Sequence, residues 1–305
     1  MGIKYRFTAV VVISLITTIS LATEISDSQL PQFTVSQTDV STTAASFFSH
    51  GVDLISLLES PPSFSYDFEE GINARELRGA IVPYNPDAPP WRFAQIQNPL
   101  GLQILQDPLT GNKYAKTYWV KGAGLEFDLN TQKKVQLYGE FGAHARQEEV
   151  WYFESHFPTI GFEYDNYPEI IIQMHEKADA CEQDREPPLA LEVKQDGIIL
   201  TWRNDEIKCT PLGSNDLNPR VRNLGLLPKG QLLKWIIHVV WSPNGQGALT
   251  IILNNKVLFM EDNLFIGYED DVGPYIGWGI YKFPLNSNHS SRTAYYDNFK
   301  QWVLR

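Results

Sequence analysis

The chain has 305 residues, 43% of them hydrophobic, with 8 Trp, 14 Tyr and 16 Phe, enough apolar mass for one large core. A formal net charge of -11 excludes a general affinity for nucleic acid or for an anionic membrane surface. A polyanionic ligand would need positive charge gathered locally in a cleft.

The N-terminus reads as a targeting segment. Lys4 and Arg6 precede an uncharged apolar run, FTAVVVISLITTISLA, and Ser20-Leu21-Ala22 offers small residues for cleavage. Residues 1–22 are therefore expected to be a secretory signal peptide, and no later stretch is long and apolar enough to span a bilayer. The processed chain is expected to be secreted or periplasmic, monomeric and without stable membrane association. In an oxidising space Cys181 and Cys209 are expected to form a disulfide, and with no CxxC spacing nothing suggests metal or redox chemistry for them.

Residues 23–60 are rich in Ser and Thr and read as a linker or lead-in, with Asp53–Leu58 as one or two helical turns. The ordered domain is expected over 61–305. FSYDFEEG (64–71) opens it as a strand and turn. Strands follow over Leu102–Leu105, Tyr114–Val120, Leu137–Phe141 and Glu148–Phe157, with a Pro/Gly/Asn turn at 107–112. Gln195-Asp196-Gly197 separates strands 189–193 and 198–202 as a hairpin, and Asn254-Asn255 turns 248–253 into 256–260. The segments 275–283 and 295–303 close the chain. About a dozen short strands without a long amphipathic helix predict an all-β fold, a single-domain antiparallel β-sandwich.

Three strands carry groups that can do chemistry. In EIIIQMH (169–175), period-two alternation turns Ile170, Ile172 and Met174 to a core and leaves Ile171, Gln173 and His175 on the open face. In YIGWGIY (275–281), Ile276, Trp278 and Ile280 face inward, while Tyr275 and Tyr281 share the other face with Gly277 and Gly279, which leave bare backbone. In ARQEEVWYFESHF (145–157), Arg146, Glu148, Tyr152, Glu154 and His156 share a face, suiting either a solvated exterior or the wall of a polar cleft. NARELRG (73–79) reads as a charged turn. Each group also has an ordinary structural explanation when taken alone.

Together, in this order, the motifs resemble those of the jelly-roll polysaccharide lyases of the alginate, glucuronan and heparin lyase type. That family has a QxH strand, matched by Gln173-Met174-His175, and a late YxKxGxY strand, matched at Tyr275, Gly279 and Tyr281 but with Gly277 in place of the lysine. Its upstream arginine–glutamate motif corresponds to Arg146-Gln147-Glu148 or to RELR (75–78). The resemblance runs from Phe64 to Trp302 and implies a concanavalin-like β-jelly roll that cleaves an acidic, uronate-containing polysaccharide by β-elimination. It implies His175 and Tyr281 as base and acid, with Gln173 and Arg146 neutralising the uronate carboxylate, and Tyr275, Tyr152, Glu148 and His156 as substrate contacts. The missing lysine removes one positive charge, which leaves a non-catalytic carbohydrate-binding sandwich as the alternative. A β-sandwich glycoside hydrolase ranks lower, because no compact acidic motif is present. FEEG (68–71) and Asp297 resemble a structural calcium position, with Glu69 or Glu70, Asp297 and backbone carbonyls as ligands.

Overall fold

Short apolar alternations cut by turn residues fold as the pattern predicts, into strands whose alternate side chains meet in one interior. The computed structural model describes residues 53–304, except 80–89, 125–131, 140–146, 183, 211–218 and 284. The expected signal peptide, and the lead-in up to residue 52, lie outside the described residues, as does Arg146.

A short helix α1 (Leu54–Glu59) comes first, followed by β1 (Phe64–Tyr66), β2 (Asn73–Gly79), β3 (Pro90–Ile96), β4 (Leu102–Gln106) and β5 (Lys113–Val120). Then come β6 (Lys134–Tyr138), β7 (Glu148–His156), β8 (Glu169–His175), β9 (Leu189–Lys194), β10 (Gly197–Trp202) and β11 (Asn204–Asp205). The chain closes with β12 (Arg220–Leu226), β13 (Leu232–Val240), β14 (Ser242–Leu253), β15 (Lys256–Tyr268), β16 (Tyr275–Tyr281) and β17 (Ser291–Val303).

These strands make two sheets. One runs β11-β15-β14-β13-β7-β17-β5-β4, with β1 also on β17; the other runs β12-β10-β9-β8-β16-β6-β3-β2. Pairing is antiparallel except for β2 with β3 and β11 with β15. The inner faces enclose one core in which Trp91, Trp119, Trp235 and Trp278 are fully buried. Each large apolar side chain so buried contributes roughly 1.5–3 kcal/mol. The fold is the expected all-β jelly-roll sandwich. Among the described residues no helix is long and apolar enough to cross a membrane.

The turns follow their residue chemistry. Gln195 and Asp196 (φ 52° and 58°) and Asn254 and Asn255 (φ 48° and 64°) hold the left-handed pairs that two-residue hairpins need. Cys181 and Cys209 are joined as expected, with Cα atoms 5.5 Å apart. RELR is strand β2 at the edge of the second sheet rather than a turn. Helix α1 is part of the packed structure. Its Leu54 is buried with Val150, Tyr152, Ile236, Ile252 and Trp302 against the outer face of the first sheet.

Candidate active site

The open face of the second sheet collects the chemistry where β8, β16 and β6 run side by side. Register sets the layout: His175 pairs with Tyr275, Gln173 with Gly277, and Ile170 with Tyr281. On the other side of β16, Gly277 pairs with Tyr138, Gly279 with Gln136 and Tyr281 with Lys134. His175 and Tyr281 thus stand towards opposite ends of one strand pair, with Gln173 between them.

Two irregularities shape this face. The register of β8 shifts between Ile170 and Ile172, so Ile171 joins the core and Ile170 turns outward beside Tyr281. That reverses the alternation expected for these two isoleucines, because a bulge inserts one residue and flips everything before it. In β16, Gly279 has φ +120°, and a Cβ there would lie 2.1 Å from the Val135 carbonyl oxygen. Only glycine fits.

The floor of the site is a buried polar network. Gln173 Nε2 donates to Gln136 Oε1 (3.0 Å) and to the Tyr138 hydroxyl (3.3 Å). The Tyr138 hydroxyl in turn lies 2.6 Å from Gln136 Oε1 and 3.2 Å from Gln95 Oε1. Gln136 Nε2 and Gln173 Oε1 are buried without a hydrogen-bond partner. Buried polar atoms are rarely left so, and those that are call for an explanation. In the sequence Lys134, Gln136 and Tyr138 carry no mark beyond the polar–apolar alternation of K-V-Q-L-Y, and Gln95 carries none.

His175 and Tyr281 are held in complementary protonation states. The His175 Nδ1 lies 2.9 Å from the Glu176 carbonyl oxygen, which can only accept, so Nδ1 carries the proton and Nε2 keeps its lone pair. The ring stacks on Tyr275 with centroids 5.5 Å apart. Burial pushes the imidazole pKa down and nearby Lys134 adds to this, against the Glu176 carbonyl, Asp184 and Glu186. The neutral form is favoured. For Tyr281, burial and then Glu186 push the phenol up to about 12, so it keeps its proton. Beside Tyr281 lies a cavity of about 390 Å³, lined by Ile170, Ala190, Glu192, Arg203 and Phe283 among others. That volume is within the range of small-ligand sites.

Glu148, Tyr152 and His156 do not join this face. They lie on β7, which is central to the other sheet, and their side of β7 is that sheet's outer face. A sandwich separates its two outer faces by both sheets and the core, so these residues cannot line the same cleft as Gln173. Glu148 instead meets His238 Nε2 at 3.0 Å, and Tyr152 hydrogen-bonds Glu154. His156 packs on Tyr295 and is driven down to about 4 by burial.

Asp297 is buried at a register shift in β17. Burial, with the Glu154, Asp67 and Glu69 carboxylates, pushes its carboxyl up to about 8. Glu69 Oε1 accepts from the Lys113 amide at 2.6 Å. These carboxylates act on Asp297 through their charge, on the first sheet and apart from the cleft, but their oxygens are not among those that converge within 4.8 Å of one another in the described residues. A tighter group, Glu176, Glu182 and Asp270, has its oxygens within 4.8 Å of one another, and Arg185 supplies its cation.

A sequence profile of the polysaccharide lyase family matches residues 89–300. Among solved structures, the endo-β-1,4-glucuronan lyase of the fungus Trichoderma reesei superposes with a TM-score of 0.60 at 13% identity, covering 80% of this chain and 96% of that one. The family 7 alginate lyase A1-II' gives a TM-score of 0.48 at 10% identity, over 68% of this chain and 82% of its own. Alginate lyase PA1167 of Pseudomonas aeruginosa gives 0.44 at 14% identity, over 67% and 86%. No curated protein sequence matches the chain. With most of its length, residues 89–300, matched by the family profile, the chain belongs to the polysaccharide lyase family.

Proposed function

We propose that the chain cleaves a uronate-containing polysaccharide by β-elimination on the open face of β8, β16 and β6. The observation that carries this is a neutral imidazole with its Nε2 lone pair unprotonated, on the same face as a phenol that retains its proton. The proton at C5 is acidified by the adjacent carboxyl group. His175 Nε2 accepts that proton, and the electron pair it leaves forms the C4–C5 double bond as the bond from C4 to O4 breaks. Tyr281 gives its proton to the departing O4. In the epimer whose proton and leaving oxygen lie on the same side, Tyr281 can serve in both steps.

As the C5 proton leaves, charge accumulates on the carboxyl group, and preorganised donors stabilise it. Gln173 is assigned this role, together with Arg146. The Gln173 amide nitrogen meets a carboxylate by giving up its bonds to Gln136 and Tyr138, an exchange eased because Gln136 Oε1 still accepts from the Tyr138 hydroxyl. Tyr275, stacked on His175, is assigned to substrate contact, and the cavity beside Tyr281 to a neighbouring sugar. The acids around Asp297 are assigned to a structural calcium ion, and the segment 1–22 to secretion.

The test is incubation with glucuronan, alginate and heparin in turn, reading the ultraviolet absorbance of the unsaturated uronate end. Wild-type protein should raise it on one of these polymers. His175→Ala and Tyr281→Phe should each lower the rate by about a hundredfold or more. Binding to a polymer without any such product would instead make the chain a carbohydrate-binding sandwich.

A further inference from the structure

We propose that Arg203, just past the end of β10, receives the carboxylate of the sugar that departs with O4, and so makes the cavity beside Tyr281 a subsite for a second uronate. This rests on the elimination proposed above and adds a residue that selects the substrate. Tyr281 gives its proton to O4, and O4 leaves as part of the neighbouring sugar. Tyr281 is also one wall of the cavity, so the sugar seated there is the one that carries O4.

Strand register opens this space. On β9, Leu189, Leu191 and Val193 enter the core, so Ala190 and Glu192 face outward. Ala190 pairs with Gln173 on one side and with Thr201 on the other, and its methyl group leaves a hollow beside the proposed carboxylate donor. Trp202 is buried in the core, so Arg203 shares the outward side of Thr201. In the antiparallel register Glu192 stands two residues to one side of Ala190, and Arg203 stands two residues to the other side of Thr201. Both line the cavity.

Charge decides the occupant. Arg203 Nη1 donates to the Pro187 carbonyl oxygen at 2.9 Å, and its backbone amide donates to the Pro188 carbonyl oxygen at 3.0 Å, which anchors the side chain in the wall. A guanidinium carries five N–H donors and stays ionised, so it can hold a carboxylate through two parallel bonds. Two acids in the same cavity, Glu186 and Glu192, act against this. Burial pushes the Glu192 carboxyl up, with Glu186 adding to this and the Thr201 hydroxyl, Arg203 and Lys194 opposing. Its Oε1 already accepts from Thr201 Oγ1 at 3.1 Å. Glu186 is exposed, where water and salt screen its charge. The permanent, anchored charge of the cavity is therefore that of Arg203.

The test uses glucuronan or alginate, whichever the wild type cleaves, partly carboxyl-reduced so that neutral hexoses are scattered among the uronates. The residue that loses its C5 proton must be a uronate, but the one carrying O4 is free to be either. That sugar becomes the new reducing end, and tandem mass spectrometry of the products reads its identity. Wild type should leave uronate there at least about fivefold more often than the polymer's composition dictates. Arg203→Met should leave uronate and hexose in proportion to their abundance and lose about tenfold in kcat/KM on the unreduced polymer, with its melting transition preserved. Arg203→Lys should recover part of the preference. The wild-type preference is read without any variant, so a variant that fails to fold leaves the test standing. Hexose at the new reducing end as often as uronate in wild type, an unchanged preference in Arg203→Met, or cleavage confined to heparin, where a glucosamine carries O4, would overturn the assignment while leaving the elimination intact. A wild-type protein inert on every polymer would overturn the elimination, and the role of Arg203 with it.

Discussion

Replacing Gly277 by alanine isolates the packing that shapes the floor of the cleft. The added methyl would sit 2.7 Å from Tyr138 Cε1 and 2.8 Å from Cδ1, far inside van der Waals contact. The backbone has little room to yield, because Gly277 is paired with Gln173 on one side and Tyr138 on the other. The ring must move. Its hydroxyl then leaves Gln136 and Gln95 and no longer accepts from Gln173. Two or three buried hydrogen bonds at about 0.5–1.5 kcal/mol each, with polar atoms left unpaired, put the cost at about 2–4 kcal/mol. Urea unfolding of wild type, Gly277→Ala, Tyr138→Ala and the double variant measures it. In the Tyr138→Ala background the glycine substitution should cost at least about 1 kcal/mol less, because the obstructing ring is gone. A Gly277→Ala change of less than about 0.5 kcal/mol, or an equal cost in both backgrounds, would refute the packing described for Tyr138.

In the calcium-free protein, stability should fall as pH rises from about 4 towards about 8, because burial lifts Asp297 and Asp270 to about 8 and Glu176 to about 7. In that window the folded chain holds protons that the unfolded chain releases. Below about pH 6.5 His156, driven down to about 4, works the other way, since only the unfolded chain gains its proton. Denaturant unfolding across this range checks the sign, and Asp297→Asn should flatten the upper limb. Chelation should lower the melting temperature at neutral pH and added calcium should restore it; indifference to both would remove the ion from the Asp297 cluster. Reducing the Cys181–Cys209 bridge, whose cysteines are 28 residues apart, should cost about 3–4 kcal/mol on the chain-entropy model, read from unfolding with and without reductant.

Much of this molecule is legible in sequence because strand alternation is a local property. The inward Ile276, Trp278 and Ile280, the outward Tyr275 and Tyr281 and the Gln195-Asp196 hairpin follow from residue type and spacing, and the disulfide from two cysteines in a chain expected to be exported. Sheet membership does not. The face of Glu148, Tyr152 and His156 is as polar as a cleft wall, and only the pairing of β7 with β13 and β17 puts it on the far side of the sandwich. The bulge at Ile171 is equally silent, because three consecutive isoleucines offer no polar mark to show which one is inserted. Lys134, Gln136 and Tyr138 gain meaning only when β6 is laid beside β16 and the Tyr138 ring is found over Gly277. A glycine that looks like a lost lysine is, in three dimensions, the seat of a tyrosine.

The most direct measurement is the mass of the cleavage products formed in heavy-oxygen water. β-Elimination breaks the bond between C4 and O4 without adding water, so one new end should be lighter by a water than its hydrolytic counterpart, and both should carry only light oxygen when read before the reducing end's anomeric oxygen exchanges with solvent. Heavy oxygen at the new reducing end, with no unsaturated partner, would show hydrolysis and contradict the roles given to His175 and Tyr281.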